Sequence, residues 1–599
     1  MKVLLRLSDE VKAPLAETLL GQNLEVALDT MDGLLSDRLK NSKFRGPPAC
    51  DQAVPAPWMG GGLGGRITHV PGAGLNGSDA LLIHDITGRP NVGILQPKIK
   101  VRAGETFEVS LWARCQHHPV KIRVGLRPVP NGLDDYSSAD LEVGIAYYSE
   151  YKATLTSPRD DDEAVFYLHV MAEGELWLDQ VHVRPAGMGP FRKDLLEAFR
   201  TLRIPVLRFP GGCLSTCYHW RHGAQPLHMR PILPDAVFKW QMSYEFGPEE
   251  YLALCLDQGI RPQITINIGT GTPEEAGEWA AWSADWFRRQ GVEPPVAYWQ
   301  MANEISSVHE IGHMTGEKYV EALREFVPAV RKGYPRARII ALGEEVGYPN
   351  ELSAQPYPWR SLILEQCPEL VDVLAVHPYC FSKQHPEDPR RQYLESLRSS
   401  VRLTEYCRKT TADCVAHGKH AAATEWNLWS TAVHHDGKWF QEPYDAEHVV
   451  FIASMFNSFF RMAPGMELVN FYHLLNPMGV FISRGPKVEE TALADFFRLY
   501  RPVLPGSLMG LEVHGPLIEE GIPVVDAVQV RCGDGDHVLL VNRSAEEAVD
   551  CDVGGRVAEF KVMAGRDLRD EALRVTTERV AGTRVTLPLL SVSRCRMAT

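Results

Sequence analysis

Between about residue 190 and residue 500, short apolar runs alternate with longer stretches of helical periodicity, and nothing else in the 599-residue chain constrains its fold as tightly. The candidate strands are Pro205–Phe209, Gln263–Ile268, Val296–Ala302, Arg338–Leu342, Val371–Val376, Ala421–Thr424 and Glu467–His473. Strands that recur with helices between them argue for βα units and a parallel sheet. The segment around Leu24 supplies an eighth strand, and eight such units predict an α/β fold of the (β/α)8 TIM-barrel type. One helix start is explicit in GTGTPEEAGEWAAW: Thr272 is placed to cap it, Pro273 fills the first helical position, and Glu275 completes a capping box.

The barrel pattern is interrupted after its first unit. ETFEVSLWARC, AVFYLHVMA and ELWLDQVHV are rich in β-branched and aromatic residues, with turn signals between them. Short strands at that spacing predict a β-sandwich of jelly-roll type. In ELWLDQVHV, Leu176, Leu178, Val181 and Val183 are candidate inward positions, and Trp112 and Trp177 read as core residues. The stretch GLLSDRLKNSKF reads as helix, and the Pro/Gly-rich RGPPACDQAVPAPWMGGGLGG after it reads as a linker. A second β pattern, VVDAVQVRC, DHVLLVNRS and RVTLPLLSVSRCRM, closes the chain as a C-terminal sandwich. The expected division is 1–17, a strand joining the C-terminal sandwich; 18–45, the first barrel unit; 46–187, the inserted sandwich; 188–502, the rest of the barrel; and 503–599.

A formal net charge of −14 argues against a nucleic-acid partner. No run approaches the ~20 apolar residues of a membrane helix. Only three apolar residues lie between Lys2 and Arg6, far short of a signal-peptide core, so a cytoplasmic protein is expected unless an export signal has been removed. The 12 cysteines are scattered and read mostly as buried free thiols. Cys213, Cys217, His219, His222 and His228 match no standard zinc spacing, and His434-His435-Asp436-Gly437 reads as a turn. No metal or cofactor is expected.

Reactive side chains of a TIM barrel stand where its strands end, at the C-terminal face. The strand ends carry Glu25, Arg208 with Pro210-Gly211-Gly212, Asn267, Asn303-Glu304, His377-Pro378-Tyr379, Glu425-Trp426-Asn427, and Glu467 to Asn470. Glu304 and Glu425 stand out, each closing an apolar run. A desolvated carboxyl is raised in pKa, which suits a proton donor. One held by donors suits a nucleophile, and Arg208 is a candidate donor. Glycosidases use such a pair, about 5–5.5 Å apart when configuration is retained.

In these motifs the chain resembles glycoside hydrolase family 51, the α-L-arabinofuranosidases of clan A. LLGQNLE, LRFPGGCLSTCYHW, NIGTGTPEEAGEW, YWQMANE, VHPY, TEWNLW and ELVNFYHLLNP follow the family's order over most of the chain. The insert is similar to carbohydrate-binding modules of the cellulose-binding jelly-roll type. The resemblance implies Glu304 as general acid/base and Glu425 as nucleophile. It implies that Asn303 binds the hydroxyl next to the anomeric carbon, that Tyr379 holds Glu425, and that His377 stands beside the acid/base. Glu25, Arg208, Trp240 and Trp429 would line the sugar pocket.

Three positions depart from the family pattern. Cys213 replaces an Asn, Glu467 stands where a Gln is expected on the eighth strand, and Ile305-Ser306-Ser307 replaces Met-Asp-Gly. All three, Cys213, Glu467 and Ile305-Ser306-Ser307, are therefore expected on the sugar-binding side, where they would bear on specificity and leave the catalytic mechanism in place. The implied activity is an exo-acting retaining α-L-arabinofuranosidase acting on an arabinofuranosyl-containing glycan, with a homo-oligomer suggested. A β-glycanase (endoglucanase or xylanase type) or another furanosidase on the same scaffold, and a non-catalytic carbohydrate-binding protein, are the alternatives.

Overall fold

The computed structural model describes residues 1–598 apart from 27–29, 49–52, 64, 89–91, 130–133, 235–240, 344–358, 382–386, 430–433, 436–438, 441 and 485–486. Eight strands close into a parallel barrel. In chain order they are β1 (Gly21–Asn23), β2 (Val206–Phe209), β3 (Arg261–Ile266), β4 (Ala297–Met301), β5 (Ala337–Leu342), β6 (Val373–Val376), β7 (His420–Ala423) and β8 (Met466–Phe471). β8 pairs with β1 to close the ring, Gly21 opposite Asn470. The helix over Pro273–Arg289 starts as its sequence dictates, with the Thr272 hydroxyl accepting from Glu275 N at 3.2 Å. The Glu275 carboxylate, however, turns to His219 Nδ1 at 3.0 Å, so the expected box is not closed.

The insert is two five-stranded sheets facing each other across their own core. Leu176, Leu178, Val181 and Val183 all point inward. Spacing of two, three and two residues breaks strict alternation. The strand Gly174–Pro185 resolves this with a bulge between Asp179 and His182, where Gln180 adopts φ of 50°. The chain leaves and rejoins the barrel at neighbouring points, since Leu35 bridges Phe191.

Three readings of this region are corrected. The helix expected in GLLSDRLKNSKF ends early: helix covers only Thr30–Leu34. Asp37 instead accepts from the backbone of Leu39 and Val183 and bonds His182, pinning the chain to the insert. The second half of the expected linker belongs to the sandwich, with Val54 and Trp58 in its core and Met59–Gly61 as a strand. Trp112 is not core but half-buried, and it stacks on His228 of the barrel at 4.5 Å between ring centres. Trp177, also half-buried, lies under the Arg114 guanidinium.

The C-terminal unit is a nine-stranded sheet. Strand Lys2–Leu15 runs inside it, antiparallel to Gly506–His514 and parallel to Val549–Asp552. The helix Ala446–Arg461 joins this sheet to the barrel and is buried around nearly its whole circumference. An α-helix apolar on all sides must be covered on all sides. Among the described residues no helix is long and apolar enough to cross a membrane.

Candidate active site

The site is built on a polar ladder inside the barrel. Asn470 Nδ2 donates to Gln263 Oε1 at 2.6 Å, and Gln263 Nε2 donates to Gln300 Oε1 at 2.9 Å. Gln300 Oε1 also accepts from Arg208 Nε at 3.0 Å. These amides come from β8, β3 and β4 and fix one edge of a guanidinium that has no exposed surface. The outer edge then serves the mouth. Arg208 Nη1 donates to Glu425 Oε1 at 2.5 Å and Nη2 to Asn303 Oδ1 at 2.6 Å. A buried cation needs such complete pairing to be tolerated.

Glu425 follows β7, and Trp426 beside it is locked in the core against Phe456, Phe459 and Phe471. Tyr379 donates to the other Glu425 oxygen, Oε2, at 3.0 Å. Both oxygens are therefore held by donors from separate strand ends. Glu304 ends a turn in which Ala302 and Glu304 adopt φ of 76° and 36°. Non-glycine residues rarely enter this left-handed region, and the turn stores strain where the chain aims a side chain into the mouth. His377 Nδ1 lies 2.7 Å from Glu304 Oε1, while its Nε2 lies 2.9 Å from Thr424 Oγ1. One oxygen each of Glu304 and Glu425, with a nitrogen of His377, lie within 4.8 Å of one another.

Glu25 completes the floor. Its Oε2 accepts from Tyr472 at 3.2 Å, and Oε1 is 3.6 Å from Arg208 Nη1. Gly212, with φ of 59°, passes so close that a Cβ there would lie 2.4 Å from Glu25 Oε2. Burial, with the charge of Glu425 added, pushes the Glu25 carboxyl well above the ordinary range. The expected raising of Glu304 is not what the structure gives. Burial alone would raise it, but the imidazoles of His309, 3.7 Å away, and His377, hydrogen-bonded to it, outweigh burial and hold it at about 2.

Of the residues singled out from sequence, Glu25, Arg208, Asn303, Glu304, His377, Tyr379 and Glu425 meet at this point. Cys213 Sγ lies within 4.8 Å of a Glu304 oxygen. Trp429 packs edge-on to Tyr379 with ring centres 6.0 Å apart. Trp240 lies outside the described residues. Glu467 is a correction. It is the second residue of β8, at the opposite end of the barrel, where it pairs with Arg338 and accepts from Tyr298 at 2.9 Å. β8 runs on to Phe471, so the residue that reaches the site from this strand end is Tyr472. The histidines near Cys213 form no single cluster: His219 binds Glu275 and meets His222 edge-on, His222 also meets Tyr244, and His228 stacks on Trp112.

Three contributors escaped the sequence reading. His309 and Glu310 lie in the irregular loop after β4, where no periodicity marks them. Glu310 is buried and accepts from Asn303 Nδ2 at 3.1 Å and from Thr216 Oγ1 at 3.1 Å. Burial pushes its carboxyl up to about 7, with Glu304 adding to the effect and a Cys213 hydrogen bond opposing it. Tyr472 follows an apolar run directly, and that signal was available in the sequence.

A closed parallel barrel with two carboxylates converging at its C-terminal mouth, flanked by β-sheet units, defines the class of protein. A sequence model of the family described as the alpha-L-arabinofuranosidase 1 domain matches residues 198–283. A probable alpha-L-arabinofuranosidase C of Aspergillus fumigatus is 26% identical over 411 residues, 62% of this chain and 79% of that protein. An intracellular exo-alpha-(1->5)-L-arabinofuranosidase of Halalkalibacterium halodurans is 22% identical over 432 residues, 65% of this chain and 83% of that protein. The match to the probable alpha-L-arabinofuranosidase C of Aspergillus niger is 28% identical over 305 residues, 46% of this chain, and spans 58% of that relative's length. Among solved structures, an arabinose-bound family 51 α-L-arabinofuranosidase shares the fold over 100% of both chains at a TM-score of 0.75 and 14% identity. The Thermotoga maritima α-L-arabinofuranosidase shares it over 68% of this chain and 90% of its own, at 0.60 and 23%. The chain is thus similar, over part of its sequence and in its fold, to α-L-arabinofuranosidases, members of glycoside hydrolase family 51 among them.

Proposed function

We propose that the chain is a retaining, exo-acting α-L-arabinofuranosidase that removes arabinofuranosyl residues from plant-type polysaccharides or oligosaccharides by double displacement. The observation that carries this reading is the approach of Glu304 and Glu425 oxygens to within 4.8 Å, each carboxylate with its own set of partners. Retention needs about 5–5.5 Å between the carboxyl groups, whereas inversion needs about 6.5–9.5 Å to admit a water between them.

Glu425 is the nucleophile, oriented by Arg208 and Tyr379. One of its oxygens attacks the anomeric carbon as the glycosidic C–O bond breaks. The leaving oxygen takes its proton from Glu304. That proton comes from the Glu304–His377 pair, whose hydrogen bond stores it at the site. In the second step a water gives its proton back to the pair, attacks the anomeric carbon and frees Glu425. Asn303, held by Arg208, is placed to bond the hydroxyl next to the anomeric carbon. Glu25, with its raised carboxyl, is a donor to another sugar hydroxyl.

The name of the Halalkalibacterium halodurans relative supports exo action and an arabinofuranosyl substrate. Its description as intracellular supports a cytoplasmic site of action, and a homo-oligomer belongs to the same reading. Glu467, a departure that favoured a β-glycanase, lies outside the site and lends that alternative no support. The test is release of p-nitrophenol from the aryl α-L-arabinofuranoside. Glu425→Ala should abolish it, and Glu304→Ala should lower turnover by ~10²–10⁴-fold, because water attack on the glycosyl-enzyme still needs a general base even though p-nitrophenolate leaves readily. Full activity in either variant would refute the assignment.

A further inference from the structure

We propose that Cys213, His309 and Glu310, closed by Glu304, form a binding site for a thiophilic divalent cation of the zinc class, and that the cation inhibits hydrolysis. One ligand atom from each of the four lies within 4.8 Å of the others. His309 Nε2 is 3.7 Å from Glu304 Oε2 and 3.9 Å from Glu310 Oε1. In a tetrahedral zinc site with bonds of about 2.0–2.1 Å, such N–O edges are about 3.3 Å, so these two edges have to contract by roughly 0.5 Å.

The ligands are already oriented. Ser307 Oγ lies 2.7 Å from His309 Nδ1. An imidazole that donates from Nδ1 to a neighbouring oxygen presents the Nε2 lone pair to a metal, the usual outer support of a histidine ligand. Glu310 is steadied by Thr216 and Asn303. Glu304 bonds His377 through Oε1, which leaves Oε2 as the oxygen toward His309. A thiol, an imidazole and two carboxylates suit a borderline-soft cation, whereas calcium and magnesium prefer all-oxygen sites.

Cation binding does not depend on the glycosidase reading. Inhibition does, because the ion would engage the carboxyl that must protonate the leaving oxygen. The test is competition of the full-length protein with a chromogenic chelator for zinc, run beside hydrolysis of the aryl arabinofuranoside. A second candidate group, Cys532, Asp534 and His537, serves as the control. Cys213→Ser and His309→Gln should each weaken zinc binding at least tenfold, and Cys532→Ser should leave this site intact. In Cys532→Ser protein, cobalt(II) should give a thiolate-to-cobalt charge-transfer band, a readout that needs no change at the site itself. Zinc should suppress turnover over the same concentration range, and a chelator should restore it. Equal zinc affinity and stoichiometry in Cys213→Ser and His309→Gln would overturn the proposal, as would absence of the cobalt–thiolate band. Binding as described in a protein that turns over no arabinofuranoside would support the cation site while sinking the glycosidase reading.

Discussion

Two imidazoles decide how Glu304 works. Burial would raise its carboxyl, but His309 and His377 hold it at about 2. In the proposed mechanism acid is therefore supplied through a hydrogen-bonded pair and not through an isolated desolvated carboxyl. Removing one ring removes one lowering influence. His309→Gln is expected to raise the Glu304 pKa and move the alkaline limb of the kcat/KM profile, which reports the proton donor, to higher pH. A pH–rate profile of the variant checks this, and an alkaline limb at the unchanged pH would contradict it. Glu467 gives the opposite kind of prediction. It is paired with Arg338 at the far end of the barrel. Glu467→Gln is expected to leave kcat and KM within about twofold and to cost about 1–2 kcal/mol of stability, since a charged hydrogen-bonded partner is lost. Parallel denaturation and kinetic measurements separate the two, and a large loss of kcat with unchanged stability would be inconsistent with its position.

At the scale of elements, the helix Ala446–Arg461 joins the catalytic barrel to the C-terminal sheet. Its first turn is a buried charge cluster. Asp445 caps the helix and bonds His448 Nδ1 at 2.7 Å, Glu442 reaches His448 Nε2 at 2.9 Å, and Arg569 binds both Asp445 and Glu447. Burial alone would lower the His448 pKa, but Asp445 and Glu442 outweigh it and raise it to about 10. A group raised on folding contributes stability that is complete below its unfolded pKa, about 6.5, and lost as pH climbs through the folded value. Stability is thus expected to decline between about pH 6.5 and 10. His448→Gln should flatten that decline in urea titrations across the range, and an equally steep slope in the variant would rule this origin out.

For the molecule as a whole, the barrel and both flanking β units were legible because hydrophobic period reports directly on strand and helix. Seven strands and the early eighth lay where apolar runs ended in polar, ionisable or aromatic residues. What the period does not encode is where a run truly stops. Glu467 begins β8, and reading it as that strand's end placed a structural ion pair in the active site while passing over Tyr472. Loops without periodicity hid His309 and Glu310, whose positions follow from tertiary packing onto Cys213 and Asn303. Local composition also could not tell that Asp37 would abandon helix for the insert, or that Trp112 would face the barrel. The two acids, by contrast, were visible because each closes an apolar strand. The account stands on Glu425 becoming covalently bonded to the sugar. An activated 2-deoxy-2-fluoro arabinofuranoside should trap that ester, and mass spectrometry of the proteolysed protein should find one glycosyl group, on the peptide carrying Glu425 and on that residue. A glycosyl group on Glu304 or Glu25, or activity that is lost without any covalent adduct, would contradict it.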